Sequence, residues 1–136
     1  MDEEVNAYIQ QHQMSDYLYR SPFRTDVPDL LNCIDVYCLP SLWEGLSIAL
    51  LEAMAMEKAI IATPTDGTCE LIQNEQNGLI IPFDDTQALA DAMITLAESK
   101  EKCKQYGISA RSLIEKSFNA RHVSEDVAQI YNRLVL

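Results

Sequence analysis

Four short apolar runs, each followed closely by a proline, punctuate the sequence: Tyr17 to Tyr19 before Pro22, Val36 to Leu39 before Pro40, Ala59 to Ala62 before Pro64, and Gly78 to Ile81 before Pro82. Proline has no N–H to give to a sheet ladder, so each run reads as a strand that stops near its proline. Helical periodicities fill the gaps between the runs. Leu46, Ala49, Leu50, Ala53 and Met54 recur at i, i+3, i+4, i+7 and i+8 and predict a helix over 45–56, with that stripe laid on the sheet. The alternation predicts an α/β domain: a partial Rossmann-like, mostly parallel sheet of about four strands flanked by helices.

The remaining segments fit one such domain over 1–136, which the hydrophobic content of 48% can supply with a single core. Further helices are expected over 2–13, over 28–33 with Pro28 in the first turn, and over 69–72 after a turn at Gly67. Asp84-Asp85-Thr86-Gln87 reads as a capping box opening a helix with Leu89, Ala92, Met93, Leu96 and Ala97 on one face. Two more helices follow, over 100–117 and 121–136. A net charge of -11 repels nucleic acid and anionic lipid alike, so neither is an expected partner. Cys33, Cys38, Cys69 and Cys103 lack C-x-x-C spacing and read as free thiols. With neither a signal peptide nor an apolar stretch of membrane-spanning length in view, the expectation is a soluble, cytoplasmic chain.

The chemistry concentrates between Pro40 and Ala55. Glu44 stands at the strand-to-helix turn and Glu52 eight positions later, about 12 Å of axial rise if both lie on one helix. Two carboxylates so placed do not share one small metal ion, but they can grip opposite ends of an extended ligand. Gly45 at the expected helix start lets an anion approach unpaired N–H groups. A polar head near Glu44, a phosphate near Gly45 and Leu46, and hydroxyls near Glu52 describe a nucleotide sugar.

The segment Pro40-Ser41-Leu42-Trp43-Glu44-Gly45-Leu46, continued by Glu52-Ala53-Met54-Ala55, resembles the motif of glycosyltransferase family 4 (group 1), whose members have the GT-B fold. The order downstream is similar too: a strand over 59–62, Gly67 to Glu70, Gly78 to Pro82, and Ile130-Tyr131 near the end. The resemblance implies the C-terminal, donor-binding part of a retaining hexosyltransferase of polysaccharide or glycoconjugate assembly. Glu44 would meet the donor sugar, Gly45 and Leu46 would offer N–H groups to the diphosphate, and Glu52 would accept from the ribose hydroxyls. The donor would be UDP- or GDP-linked, with no metal or other cofactor. Glu70 either lines the donor pocket or caps a helix, and Trp43 packs beside the motif or offers a stacking platform. His12 and His122 read as surface residues.

Three departures from the family pattern bear on activity. Glu57 and Ala59 replace the usual glycine and proline, so the loop over 56–59 turns without them. The upstream arginine and lysine that neutralise the donor diphosphate have no counterpart, and Arg20 and Arg24 lie in a region resembling a different strand and loop. The acceptor domain and two strands of the donor domain are also without a counterpart, which marks the chain as part of an enzyme and leaves the Val36 strand with an open edge. That edge is expected to pair with the Tyr17 strand or, in a homodimer, with a second copy; a separate N-terminal GT-B subunit is the other expected partner. The alternative function is a non-catalytic, self-associating module that retains the fold. A GT-B sugar epimerase fits the glutamate spacing less well.

Overall fold

A computed structural model describes residues 2–134. Three parallel strands form one sheet in the order β1 (Val36–Leu39), β2 (Ala59–Ala62), β3 (Leu79–Ile80). Val36 pairs with Ala59 and Leu39 with Ala62, and Ile61 pairs with Leu79. All four residues of β2 are buried, because strands flank it and helices cover both its faces. The side chains of β1 are only half-buried.

The described residues also form seven helices: α1 (Asp2–Gln11), α2 (Val27–Asn32), α3 (Ile48–Ala55), α4 (Asp66–Leu71), α5 (Thr86–Ala97), α6 (Lys100–Ser117) and α7 (Ala120–Leu134). Strand alternation divides the core in two. Ile60 and Ala62 pack with Leu31 of α2, Leu50, Ala53 and Met54 of α3, Leu71 of α4 and Ala110 of α6. On the other face, Ala59 and Ile61 pack with Ala92 and Leu96 of α5 and Tyr106 of α6. Helix α6 thus contributes to both clusters.

The strand expected over Tyr17 to Tyr19 does not form. Around Tyr17 the chain turns instead: the Tyr17 and Leu18 N–H groups donate to the Met14 carbonyl at 3.0 and 2.9 Å, and Tyr17 and Tyr19 are 89% and 87% exposed. Local bonds satisfy backbone that a strand would have to pair at a distance, and β1 is left at the sheet edge. The run over 78–81 is also shorter as a strand, with Gly78 joined only to Asn74 by an isolated bridge.

The helix starts shift for equally local reasons. Helix α3 begins at Ile48 because Ser47 caps it, its hydroxyl oxygen accepting from the Leu50 N–H at 3.4 Å. Leu46 therefore lies outside the helix, half exposed, and Leu50, Ala53 and Met54 make the buried face. Asp85 caps α5 by accepting from Ala88 N–H at 2.8 Å, while Gln87 bonds Asp91; the expected box centred on Asp84 does not form. Gly67 is not a turn before α4 but part of its first turn. Of the helix expected over 121–136, the last two residues lie outside the described ones.

The loop lacking the customary glycine follows the rule for helix ends nonetheless. Past the end of α3 the Lys58 N–H donates to Ala53 and the Glu57 N–H to Met54, at 3.0 and 3.1 Å, a Schellman closure. Glu57 takes the left-handed conformation that closure demands, at φ 57°.

Candidate donor-binding site

The loop 40–47 leaves the C-terminal end of β1 and crosses the end of β2, the end of a parallel sheet where α/β proteins commonly bind ligands. Two contacts hold it there. The Thr63 hydroxyl, just past β2, donates to the Ser41 carbonyl. Gly67 lies directly against the backbone of Gly45, where a Cβ would come within 2.0 Å of the Gly45 carbonyl oxygen. Within the loop, Ser41 Oγ donates to Glu44 Oε2 at 3.3 Å.

Tyr37 lies in the electrostatic field of both motif carboxylates. Tyr37 projects from the exposed edge of the sheet on β1 and packs against the α3 side of the core. Burial, and after it the negative charges of Glu44 and then Glu52, push its phenol above the ordinary tyrosine range. Glu44 is in the loop and Glu52 on α3, so the two charges are set by different elements. The rise of a single helix does not set their separation.

Gly45 stands in open space: a Cβ there would meet nothing within 4 Å, and its φ is not positive. The chain's own packing thus has no need of glycine at this position, and the volume in front of it is available to a ligand. Because α3 starts later than the periodicity indicates, the Gly45 and Leu46 N–H groups belong to the loop, and the unpaired donors of the helix itself begin at Ile48. Trp43 does not pack beside the motif; it is 85% exposed, beside Leu42 at 58%. Glu70 lies within α4 and is exposed, so it caps no helix.

The upstream arginines are occupied elsewhere. Arg24 Nε donates to Asp26 Oδ1 at 2.8 Å and its second nitrogen to Oδ2, which raises the guanidinium and lowers the carboxyl from their usual values. Arg20 reaches Asn6 at 3.0 Å. Lys58, Lys100 and Lys104 line a cleft of about 590 Å³ with Asp35 and Glu57 at the opposite, N-terminal end of β1. Another cleft, of about 600 Å³, lies between α6 and the 73–77 segment. Neither is lined by Glu44 or Glu52. A small hollow of about 180 Å³ adjoins the motif loop, lined by Pro40, Thr63 and the 81–89 segment. Among the described residues no helix is long and apolar enough to cross a membrane, and no group of three or more His, Cys, Asp or Glu is arranged for a metal ion.

A three-stranded parallel sheet flanked by helices, with a glutamate-bearing loop at its C-terminal end, matches the α/β architecture of GT-B glycosyltransferases. Residues 1–113 match the family model for glycosyl transferases group 1, and the chain belongs to that family. It is 29% identical to alpha-maltose-1-phosphate synthase of Mycolicibacterium smegmatis over 97% of this chain and 37% of that protein. It is 34% identical to the putative glycosyltransferase EpsD of Bacillus subtilis over 81% of this chain and 29% of that protein. The crystal structure of Anabaena Alr3699/HepE in complex with UDP-glucose shares the fold at a TM-score of 0.89 and 22% identity, over 96% of this chain and 36% of that one. The chain thus spans 29 to 37% of the length of these proteins.

Proposed function

We propose that this chain is the donor-binding part of a retaining hexosyltransferase, holding a UDP- or GDP-linked sugar for transfer to a glycan or glycoconjugate acceptor in the cytoplasm. The observation that carries the reading is the placement of Glu44 in the loop at the C-terminal end of β1 and of Glu52 on the helix that follows, with open space before Gly45 between them, in a fold that in HepE accompanies UDP-glucose. Glu44 accepts from the sugar hydroxyls, and Glu52 from the ribose hydroxyls; an ionised carboxylate offers only acceptors and suits both tasks. The N–H groups of Gly45 and Leu46 face the diphosphate. Remote contacts of this kind hold the anomeric carbon for attack by an acceptor, and in a complete enzyme Glu44 is placed to meet positive charge developing there.

With Arg24 tied to Asp26, the charge that neutralises a diphosphate has to come from elsewhere, and the chain by itself binds donor weakly without turning it over. Calorimetric titration with UDP, GDP, UDP-glucose and GDP-mannose tests this directly. One nucleotide series should bind, and Glu52→Ala should weaken the free diphosphate and the sugar-linked form alike, by about tenfold. No heat from either series at millimolar ligand would remove autonomous donor binding.

One observation favours a second reading, a non-catalytic module that associates with itself or with a separate N-terminal GT-B subunit. Helix α7 carries Val123, Val127, Ile130 and Leu134 on one side and buries none of them. With the open edge of β1 it offers an apolar surface for a homodimer. Light scattering across the micromolar range decides between dimer and monomer.

A further inference from the structure

Resting on Glu44 as the sugar contact, we propose that Ser41 and Thr63 are positioning residues that hold the Glu44 carboxylate toward the donor sugar. Three links make the relay. The Thr63 side chain is 2% exposed just past β2, and its hydroxyl has one proton to give. The Leu39 carbonyl accepts from the Thr63 N–H at 3.3 Å and lies 3.4 Å from the hydroxyl as well, but the Ser41 carbonyl is the closer acceptor and receives the hydroxyl's hydrogen bond. That bond pins the backbone of Ser41 to the rigid centre of the sheet, and the Ser41 hydroxyl donates onward to Glu44 Oε2 at 3.3 Å.

The rest of the loop supplies little other restraint. Leu42, Trp43 and Leu46 are 58%, 85% and 50% exposed and so pack weakly, and the loop's second anchor, Gly67 against Gly45, lies on the far side of Glu44. Between these anchors Glu44 is a half-exposed, four-bond side chain whose rotamer the Ser41 bond selects. One carboxylate oxygen is held by Ser41, and the other remains open to a ligand hydroxyl. At 3.3 Å the bond is long, as such bonds often are in unliganded sites, and it tightens when the sugar orders the carboxylate.

Two measurements on the full chain test the relay. The first needs no ligand: three-bond NMR couplings of the Glu44 side chain should report one dominant rotamer, become averaged in Ser41→Ala and Thr63→Val, and recover in Ser41→Thr and Thr63→Ser. Amide spectra of β1 and β2 show whether each variant keeps the fold. Averaged couplings in the unaltered chain, or couplings indifferent to both substitutions, overturn the proposal. The second is the ratio of UDP-glucose to UDP affinity, or GDP-mannose to GDP if that series binds. Ser41→Ala should lower it about fivefold with the free diphosphate unchanged, and add nothing further to Glu44→Ala. An equal loss for sugar-linked and free diphosphate makes Ser41 a general support of the loop and overturns the positioning role. If the couplings respond but Glu44→Ala leaves the ratio unchanged, the relay stands and the assignment of Glu44 to the sugar fails.

Discussion

Gly67 packs against the carbonyl of Gly45, at a distance where an added Cβ would stand 2.0 Å from the oxygen and 2.5 Å from the carbonyl carbon. The first turn of α4 and the motif loop are thereby locked backbone to backbone. Gly67→Ala has to force them apart, and an overpacked site of this kind costs about 1–3 kcal/mol, which urea denaturation will register. Gly45→Ala is the contrasting case, because its Cβ enters open space at an ordinary φ. It should hold or raise stability by about 0.4–1 kcal/mol while weakening donor binding, and a stability loss matching that of Gly67→Ala would contradict this geometry.

A second close approach lies behind Glu57. Its left-handed φ of 57° costs a non-glycine about 1–2 kcal/mol. Replacement by glycine relieves that cost but gives up the exposed Arg111 contact at 3.6 Å and adds entropy to the unfolded chain. The net expectation for Glu57→Gly is a gain of about 0.5 kcal/mol in unfolding free energy. Gly107→Ala is expected to destabilise by about 1–3 kcal/mol, since its Cβ would meet the Glu57 carbonyl oxygen at 2.0 Å.

Alkaline pH should loosen the fold. Burial pushes the Cys38 and Cys103 thiols up, and likewise the Tyr37 and Tyr106 phenols. The folded chain therefore holds these protons more tightly than the unfolded chain, and stability is whole below the unfolded thiol value of about 8.5 and falls as pH rises through it. The urea midpoint should decline from about pH 8.5 upward, and Cys38→Ala should flatten the part of that slope below about pH 10, where tyrosines follow. A midpoint that climbs through this window would reverse the sign. In thiol labelling at lower pH, the exposed Cys33 and Cys69 should react before Cys38 and Cys103.

Helix α7 should be the first element to open. It buries no residue, and a lone helix of about 15 residues is marginal in water. Hydrogen exchange over 120–134 should be complete within seconds at low micromolar concentration, while β2 and α3 stay protected far longer. Protection of α7 that grows with protein concentration would identify it as a dimer contact.

The short-range signals were open to reading. Val36 to Leu39 and Ala59 to Ala62 are strands to the residue, because an apolar run closed by proline leaves few other options. The motif around Glu44 and Glu52 and the family to which the chain belongs were equally plain, and so was the need for a turn at Glu57, where the backbone is in fact left-handed. Failures arose where two local solutions compete. Ser47 outbids Gly45 as the start of α3 because its hydroxyl caps an N–H, and Tyr17 to Tyr19 had strand composition but no neighbour to pair with.

Sequence by itself determined β1 and β2, the helices around them and the identity of the glutamate motif, since these depend on periodicity and backbone preference within a few residues. Only the tertiary structure decided that Thr63 grips Ser41 and that Gly67 rather than Gly45 is the glycine the packing requires. Each joins residues that only sheet pairing and helix packing bring together, so no local pattern records it.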